Sequence, residues 1–168
     1  DRWGGDLTNR RRFHLELVER VRRVVGSGFP LLIKFGVQDD KGGLTLNEGI
    51  ETAQLLVQRG INVIEVSVGV GTSMRVKKAE GTETAYFRDW AGAVKRAASV
   101  PVIAVGGIRS LEMARSIVES GDADLISMSR PFIREPDLLA RWQRDDTRPA
   151  ACISCNKCLV LLAKGESL

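Results

Sequence analysis

Apolar residues recur along this chain in two rhythms. Short apolar and β-branched runs stand at Leu31–Phe35, Asn62–Ser67, Val102–Val105 and Asp124–Ser127, the length of buried strands. Between them the spacing turns helical. Phe13, Leu17, Val21 and Val24 recur every three or four residues, which predicts a helix running to about Val25. Thr8 or Asn9 can cap it, and Gly26 and Gly28 stop it. Thr45-Leu46-Asn47-Glu48 has the spacing of a capping box and opens a helix carrying Ile50, Ala53, Leu56 and Val57 that ends at Gly60. A third helix is predicted over Phe87–Ala98. Ser110 caps a fourth, bearing Met113, Ile117 and Val118 and closing at Gly121. Pro136 sits at the N-terminus of a short helix reaching about Trp142. Gly69–Gly81, rich in glycine and polar residues, reads as a long loop.

Strands alternating with amphipathic helices imply a parallel sheet with right-handed crossovers. No Gly-x-Gly-x-x-Gly follows the first strand and no P-loop is present, which argues against the usual dinucleotide and nucleoside-triphosphate folds. Half of an eight-stranded (β/α)8 TIM barrel fits better. The third strand ends in Gly106 and Gly107, whose backbone can approach a ligand closely. The fourth ends in Ser129 and Arg130. Adjacent parallel strands that both end in phosphate-binding chemistry match the C-terminal face of such a barrel. The bland alternatives are a tight strand-to-helix turn at Gly106-Gly107 and a surface arginine at Arg130. The expected division is residues 1–146 as half-barrel and 147–168 as a cysteine-containing tail. Its outer strands would be open edges, guarded only by Lys34. The chain is therefore expected to be part of a larger protein or to pair with a second copy, at least a dimer if it stands alone. Ile33, Val66, Ile103 and Ile126, or their alternating neighbours, are expected to face the barrel interior.

At 168 residues the chain is the size of one domain. Its longest apolar runs, Pro30–Ile33 and Pro101–Val105, fall far short of the roughly 18 residues of a spanning helix. No secretory segment opens it, so the expectation is a soluble, cytoplasmic protein with no membrane partner. The formal charge of +4 raises a nucleic-acid reading. However, no aromatic interleaves with the densest run, Arg10-Arg11-Arg12, Arg20, Arg22 and Arg23 lie further along the same helix, and a solvated face is favoured. His14, the only histidine, reads as an ordinary helix residue. Cys152, Cys155 and Cys158 form a poor disulfide framework. They are either reduced cytosolic thiols or a thiolate cluster, an iron–sulfur or zinc half-site.

Asp1-Arg2-Trp3-Gly4-Gly5-Asp6 with Asn9–Phe13 resembles the mid-barrel signature of the old yellow enzyme family, the FMN-dependent NADH:flavin oxidoreductases. Gly42–Thr45, Pro101–Ile108, Ala123–Pro131, Arg148-Pro149 and Cys152–Asn156 follow in the family's order. The resemblance implies strands five to eight of the barrel, an FMN cofactor and NAD(P)H as reductant. It also implies hydride transfer to an activated alkene such as an enone. The FMN phosphate would meet Gly106, Gly107 and Arg130, with Ser129 where the family often has glycine. Lys34 would face the flavin N1–C2=O edge, where the family usually has arginine; otherwise it is a strand-end lysine reaching solvent.

The family's dienoyl-CoA reductase type holds a 4Fe–4S cluster on Cys-x2-Cys-x3-Cys and a fourth cysteine about a dozen residues on. Here the second gap is two residues and no fourth cysteine appears before Leu168. By the same resemblance the proton-donating tyrosine and the substrate-binding His/Asn pair precede Asp1, so residues 1–168 alone are expected to be inactive. Two other readings stand beside this one. A phosphate-binding barrel isomerase or synthase would need strand-end carboxylates, and Glu65 is the only acidic residue in the interior of a predicted strand, Asp124 standing at the first position of its own. The other is a non-catalytic half-barrel assembly module.

Overall fold

The computed structural model describes residues 2–39, 42–70 and 85–166, so most of the stretch read as a long loop lies outside the described residues. In chain order the elements are α1 (Leu7–Val25), β1 (Leu32–Gly36), α2 (Leu46–Gln58), β2 (Val63–Ser67), α3 (Arg88–Ala97), β3 (Val102–Val105), α4 (Leu111–Glu119), β4 (Leu125–Ser127), α5 (Arg130–Arg134), α6 (Leu138–Gln143) and α7 (Lys157–Ala163). All four strands fall within a residue of the hydrophobic runs that predict them. Glu48 and Thr45 close the capping box, and Ser110 caps α4 through the Met113 N–H. The first cap differs. Helix α1 already includes Leu7, which puts Thr8 and Asn9 inside its first turn, and Asp6 accepts from the Asn9 N–H at 2.9 Å. The sequence pattern does not predict helices α5 and α7: α5 is five residues long, and α7 takes in the last cysteine, Cys158.

The sheet runs β1-β2-β3-β4, parallel throughout. Register sorts its side chains into rows. Phe35, Val66, Ala104 and Ile126 align, as do Ile33, Ile64 and Val102. Both rows pack under Val18, Leu56, Val94 and Ile117 from helices α1 to α4, which forms the main core. The opposite face carries the row Lys34, Glu65, Ile103 and Leu125. There Leu32 and Leu125 remain 56% and 50% exposed. Of the residues named for the barrel interior, only Ile103 lies on this uncovered face. Ile33, Val66 and Ile126 point to the helices, and their alternating neighbours take the interior.

The N-terminal ends of the strands are stitched by one device used twice. Asn62 donates its N–H to the Leu31 carbonyl and accepts the Leu31 N–H on its side chain at 2.9 Å. Asp124 donates to the Val102 carbonyl and accepts the Val102 N–H at 2.8 Å. Arg22 adds carbonyl contacts to Gly26, Phe29 and Gly60 and one to the Asn62 side chain, fastening α1 to the same end.

A smaller core joins the tail to β4. Leu138, Trp142 and Ala150 pack with Leu111, Met128 and Phe132. Arg141 forks onto Glu135, Asp146 and the Arg148 carbonyl, and the Trp142 indole donates to the same carbonyl at 3.1 Å. Among the described residues no helix is long and apolar enough to cross a membrane.

Candidate functional site

Val105 and Ser127 are register partners, so the loops leaving β3 and β4 run side by side. Gly106 and Gly107 lead the first loop with φ of +97° and +77°, a region where side chains are strained. Gly106 is constrained a second way. A Cβ there would lie 2.8 Å from the Phe87 ring, which is buried and stacked on Trp90. The Gly106 carbonyl also accepts from the Tyr86 N–H at 2.9 Å. Gly106 is therefore required by packing as well as by its backbone conformation.

On the second loop, Ser129 precedes α5 and its hydroxyl makes no capping bond. Arg130 opens α5 and donates through Nη1 to the Asn156 side-chain oxygen at 2.5 Å. It lines a cavity of about 690 Å³ with Arg134, Lys157, Cys152, Cys155 and Cys158. Gly106 and Gly107 are not among the residues lining that cavity.

The cysteines are free thiols, Cys155 exposed and the other two half-buried. Although all three line one cavity, no group of three or more His, Cys, Asp or Glu among the described residues converges closely enough to hold a metal ion. As placed, the loop does not form a finished metal site.

Lys34 sits mid-strand on the uncovered face. Its side chain is 58% exposed, and its partner is Glu65, directly opposite on β2. The pair is 31 residues apart in sequence and emerges only from register. Lys34 also borders a cavity of about 380 Å³ with Arg10, His14, Asp39 and Gly69. His14 packs edge-on against Phe13 and Phe35, and burial lowers its pKa from the ordinary value.

Arg109 was missed by sequence reasoning, because nothing in the spacing marks it. It is 2% exposed. Its Nη1 donates to the Ser154 hydroxyl, and its carbonyl accepts the Ala150 N–H at 2.7 Å. Its Nε and Nη2 have no hydrogen-bond partner among the described residues. Glu135 supports the same tail: the Ala151 N–H and then the Arg141 guanidinium hold its carboxyl below the usual range. Taken together, two adjacent strand ends carry a double-glycine turn and an arginine, and a cysteine-bearing tail is strapped across both.

Residues 1–148 match the family described as NADH:flavin oxidoreductase / NADH oxidase. The chain is 33% identical over 159 residues to the NADH oxidase of Thermoanaerobacter brockii, covering 93% of this chain and 24% of that protein. It is 30% identical to the multifunctional alkene reductase/demethylase OYE of Caballeronia cordobensis, over 94% of this chain and 24% of that one. Among solved structures, 2-naphthoyl-CoA reductase in complex with 2-naphthoyl-CoA superposes with a TM-score of 0.81 at 27% identity, over 94% of this chain and 24% of that one. The chain thus spans about a quarter of the length of these relatives. Its fold is that of half a (β/α)8 barrel.

Proposed function

From the premise that this chain belongs to the NADH:flavin oxidoreductase / NADH oxidase family, we propose that the protein carrying it is an FMN-dependent oxidoreductase. Its reaction moves hydride from NAD(P)H to an activated alkene such as an enone, and this chain supplies the half that grips the FMN phosphate. FMN, when bound, provides the two-electron carrier between the two substrates.

The observation that carries the reading is the β3–β4 pair. The Val105–Ser127 register sets a left-handed double glycine beside the loop that presents Arg130. Gly106 and Gly107 bring backbone close to a phosphate without a side chain in the way. Arg130 has donors left after its bond to Asn156. Ser129 stands beside it with its hydroxyl free of capping duty. Lys34 supplies positive charge on the barrel-interior face, for the electron-rich edge of the reduced ring. Its pairing with Glu65 tempers that charge.

The same pairing leaves the isomerase reading without its acid–base residue: Glu65 is mid-strand and engaged by Lys34. The uncovered face with Leu32 and Leu125 supports a partner half-barrel, or a second copy, as the surface that closes the site. Residues 1–168 alone are then inactive. Cys152, Cys155 and Cys158, which do not converge on a metal site among the described residues, remain candidates for iron–sulfur ligation in the whole protein. Unpaired thiols accord with a reducing, cytoplasmic setting.

The test is Arg130→Ala in the whole protein. Removing one partner of a charged, hydrogen-bonded pair costs about 2–5 kcal/mol, so FMN affinity measured by calorimetry should fall at least thirtyfold. Unchanged affinity would reduce Arg130 to a surface arginine.

A further inference from the structure

We propose that Asn156, in the turn Ser154–Cys155–Asn156, is the residue that positions Arg130 for the phosphate. The inference rests on the phosphate reading of Gly106, Gly107 and Arg130 above and deepens it.

Two arginines, one from each strand-end loop, reach into this turn. Arg109, three residues after Gly106, holds Ser154, and Arg130 holds Asn156. The residues they hold flank Cys155 on either side. Both adopt left-handed backbone, φ +54° at Ser154 and +62° at Asn156, which is uncommon for residues other than glycine. Such a conformation persists where its surroundings impose it, and here they do. Ser154 is 3% exposed beneath the buried Arg109 guanidinium. The Asn156 carbonyl is fixed by the N–H groups of Leu159 and Val160 at the start of α7. The Arg109 carbonyl also takes the Ala150 N–H, so the tail is fastened to the glycine loop at two points and to the Arg130 loop at one.

The consequence for Arg130 is geometric. Its planar fork carries five N–H donors, and the Asn156 oxygen anchors Nη1. That anchor orients the remaining donors before an anion arrives, so less side-chain freedom is lost on binding. Linkage works in both directions. A phosphate monoester that orders Arg130 must also stiffen the turn around Cys155, so occupancy of the cofactor site is communicated to the cysteine loop.

The test uses the whole protein with FMN as the probe. Asn156→Gly removes the anchoring oxygen while leaving the left-handed backbone unstrained. FMN affinity should fall about tenfold, the scale of one hydrogen bond to a charged group. In an Arg130→Ala background the same substitution should cost nothing further, an outcome that general loosening of the tail would not give. On the wild type, saturating FMN should slow backbone hydrogen exchange across residues 154–157, and Arg130→Ala should abolish that protection. Full FMN affinity in Asn156→Gly, an undiminished loss in the Arg130→Ala background, or exchange at residues 154–157 indifferent to FMN would each overturn the positioning role. If Arg130→Ala itself leaves FMN affinity unchanged, the phosphate reading has failed instead, and the two failures are told apart by that single variant.

Discussion

Replacing Gly106 by alanine should destabilise this fold well beyond what the loss of a glycine costs. At φ +97° an L-residue is disfavoured by about 1–2 kcal/mol. The new methyl would also lie 2.8 and 2.9 Å from two carbons of the Phe87 ring. That ring is 5% exposed and stacked on Trp90 at 5.1 Å, so it has little room to swing away. Overpacking of this kind adds about 1–3 kcal/mol.

Gly121 is the internal control. Its φ is +75°, and nothing lies within 4 Å of a Cβ placed there. Gly121→Ala should therefore cost the backbone part alone, about 1–2 kcal/mol. For a domain of this size each kcal/mol moves Tm by ~2–4 °C, so Gly106→Ala should melt ~2–12 °C below Gly121→Ala. Thermal unfolding followed by circular dichroism, with urea denaturation for the free energies, measures the difference. Trimming the ring in a Gly106→Ala/Phe87→Leu double variant should recover part of the loss, because contacting residues are energetically coupled. Equal melting of the two alanine variants, or no coupling to Phe87, would refute the argument that Gly106 is demanded by packing.

Two further outcomes follow from the same structure. In the whole protein, Lys34→Met should lower the flavin reduction potential with little loss of FMN affinity, and Glu65→Gln should raise it, since the two side chains oppose each other at one spot; spectroelectrochemistry showing no movement in either variant would place this pair away from the ring. Stability should also fall on acidification in two stages. His14, its pKa lowered by burial, is charged more readily unfolded than folded, so its contribution is lost as pH drops through about 6.5 and below. Asp122, Asp124 and Glu135 have pKa values lowered by their hydrogen bonds, so they stabilise at neutral pH and release that stability only as pH falls through and below the ordinary carboxyl range. Urea midpoints from pH 8 to pH 3 test this, and a His14→Asn variant should flatten the first stage alone.

The strands were legible because each is a dense apolar run between turn signals, and burial beneath helices is what such a run requires. Capping boxes and serine caps were legible for a similar reason, since their partners lie three residues away. What escaped depends on distance in sequence. The ion pair of Lys34 with Glu65 exists only once β1 and β2 are in register. Which of Ile33, Val66, Ile103 and Ile126 faces the interior depends on that same register. Arg109 carries no periodic signal, because it is buried by a tail that returns some forty residues later to Ser154. Helix α5 escaped because Arg130–Arg134, with Pro131 in its first turn, is too short to show a period, and α7 because its apolar run Leu159–Leu162 follows the cysteines without a capping side chain. At the site, the glycines, Ser129, Arg130 and the cysteines could be nominated from sequence. Their mutual arrangement, and the part played by Ser154 and Asn156, could not.

The paired stitches at Asn62 and Asp124 have a consequence for how such a half-barrel can change over time. Each holds a strand to its neighbour by a side chain at the end remote from Gly106 and Arg130. A parallel strand that slips by one residue turns every side chain to the wrong face, and these stitches make that slip unfavourable before any loop at the opposite end is considered. The loops at that opposite end are thereby relieved of keeping alignment. Insertions, deletions and new residues after β3 or β4 can be sampled one at a time while the sheet beneath stays in step. A lineage that divides its labour this way can acquire new substrates without first relearning how to fold.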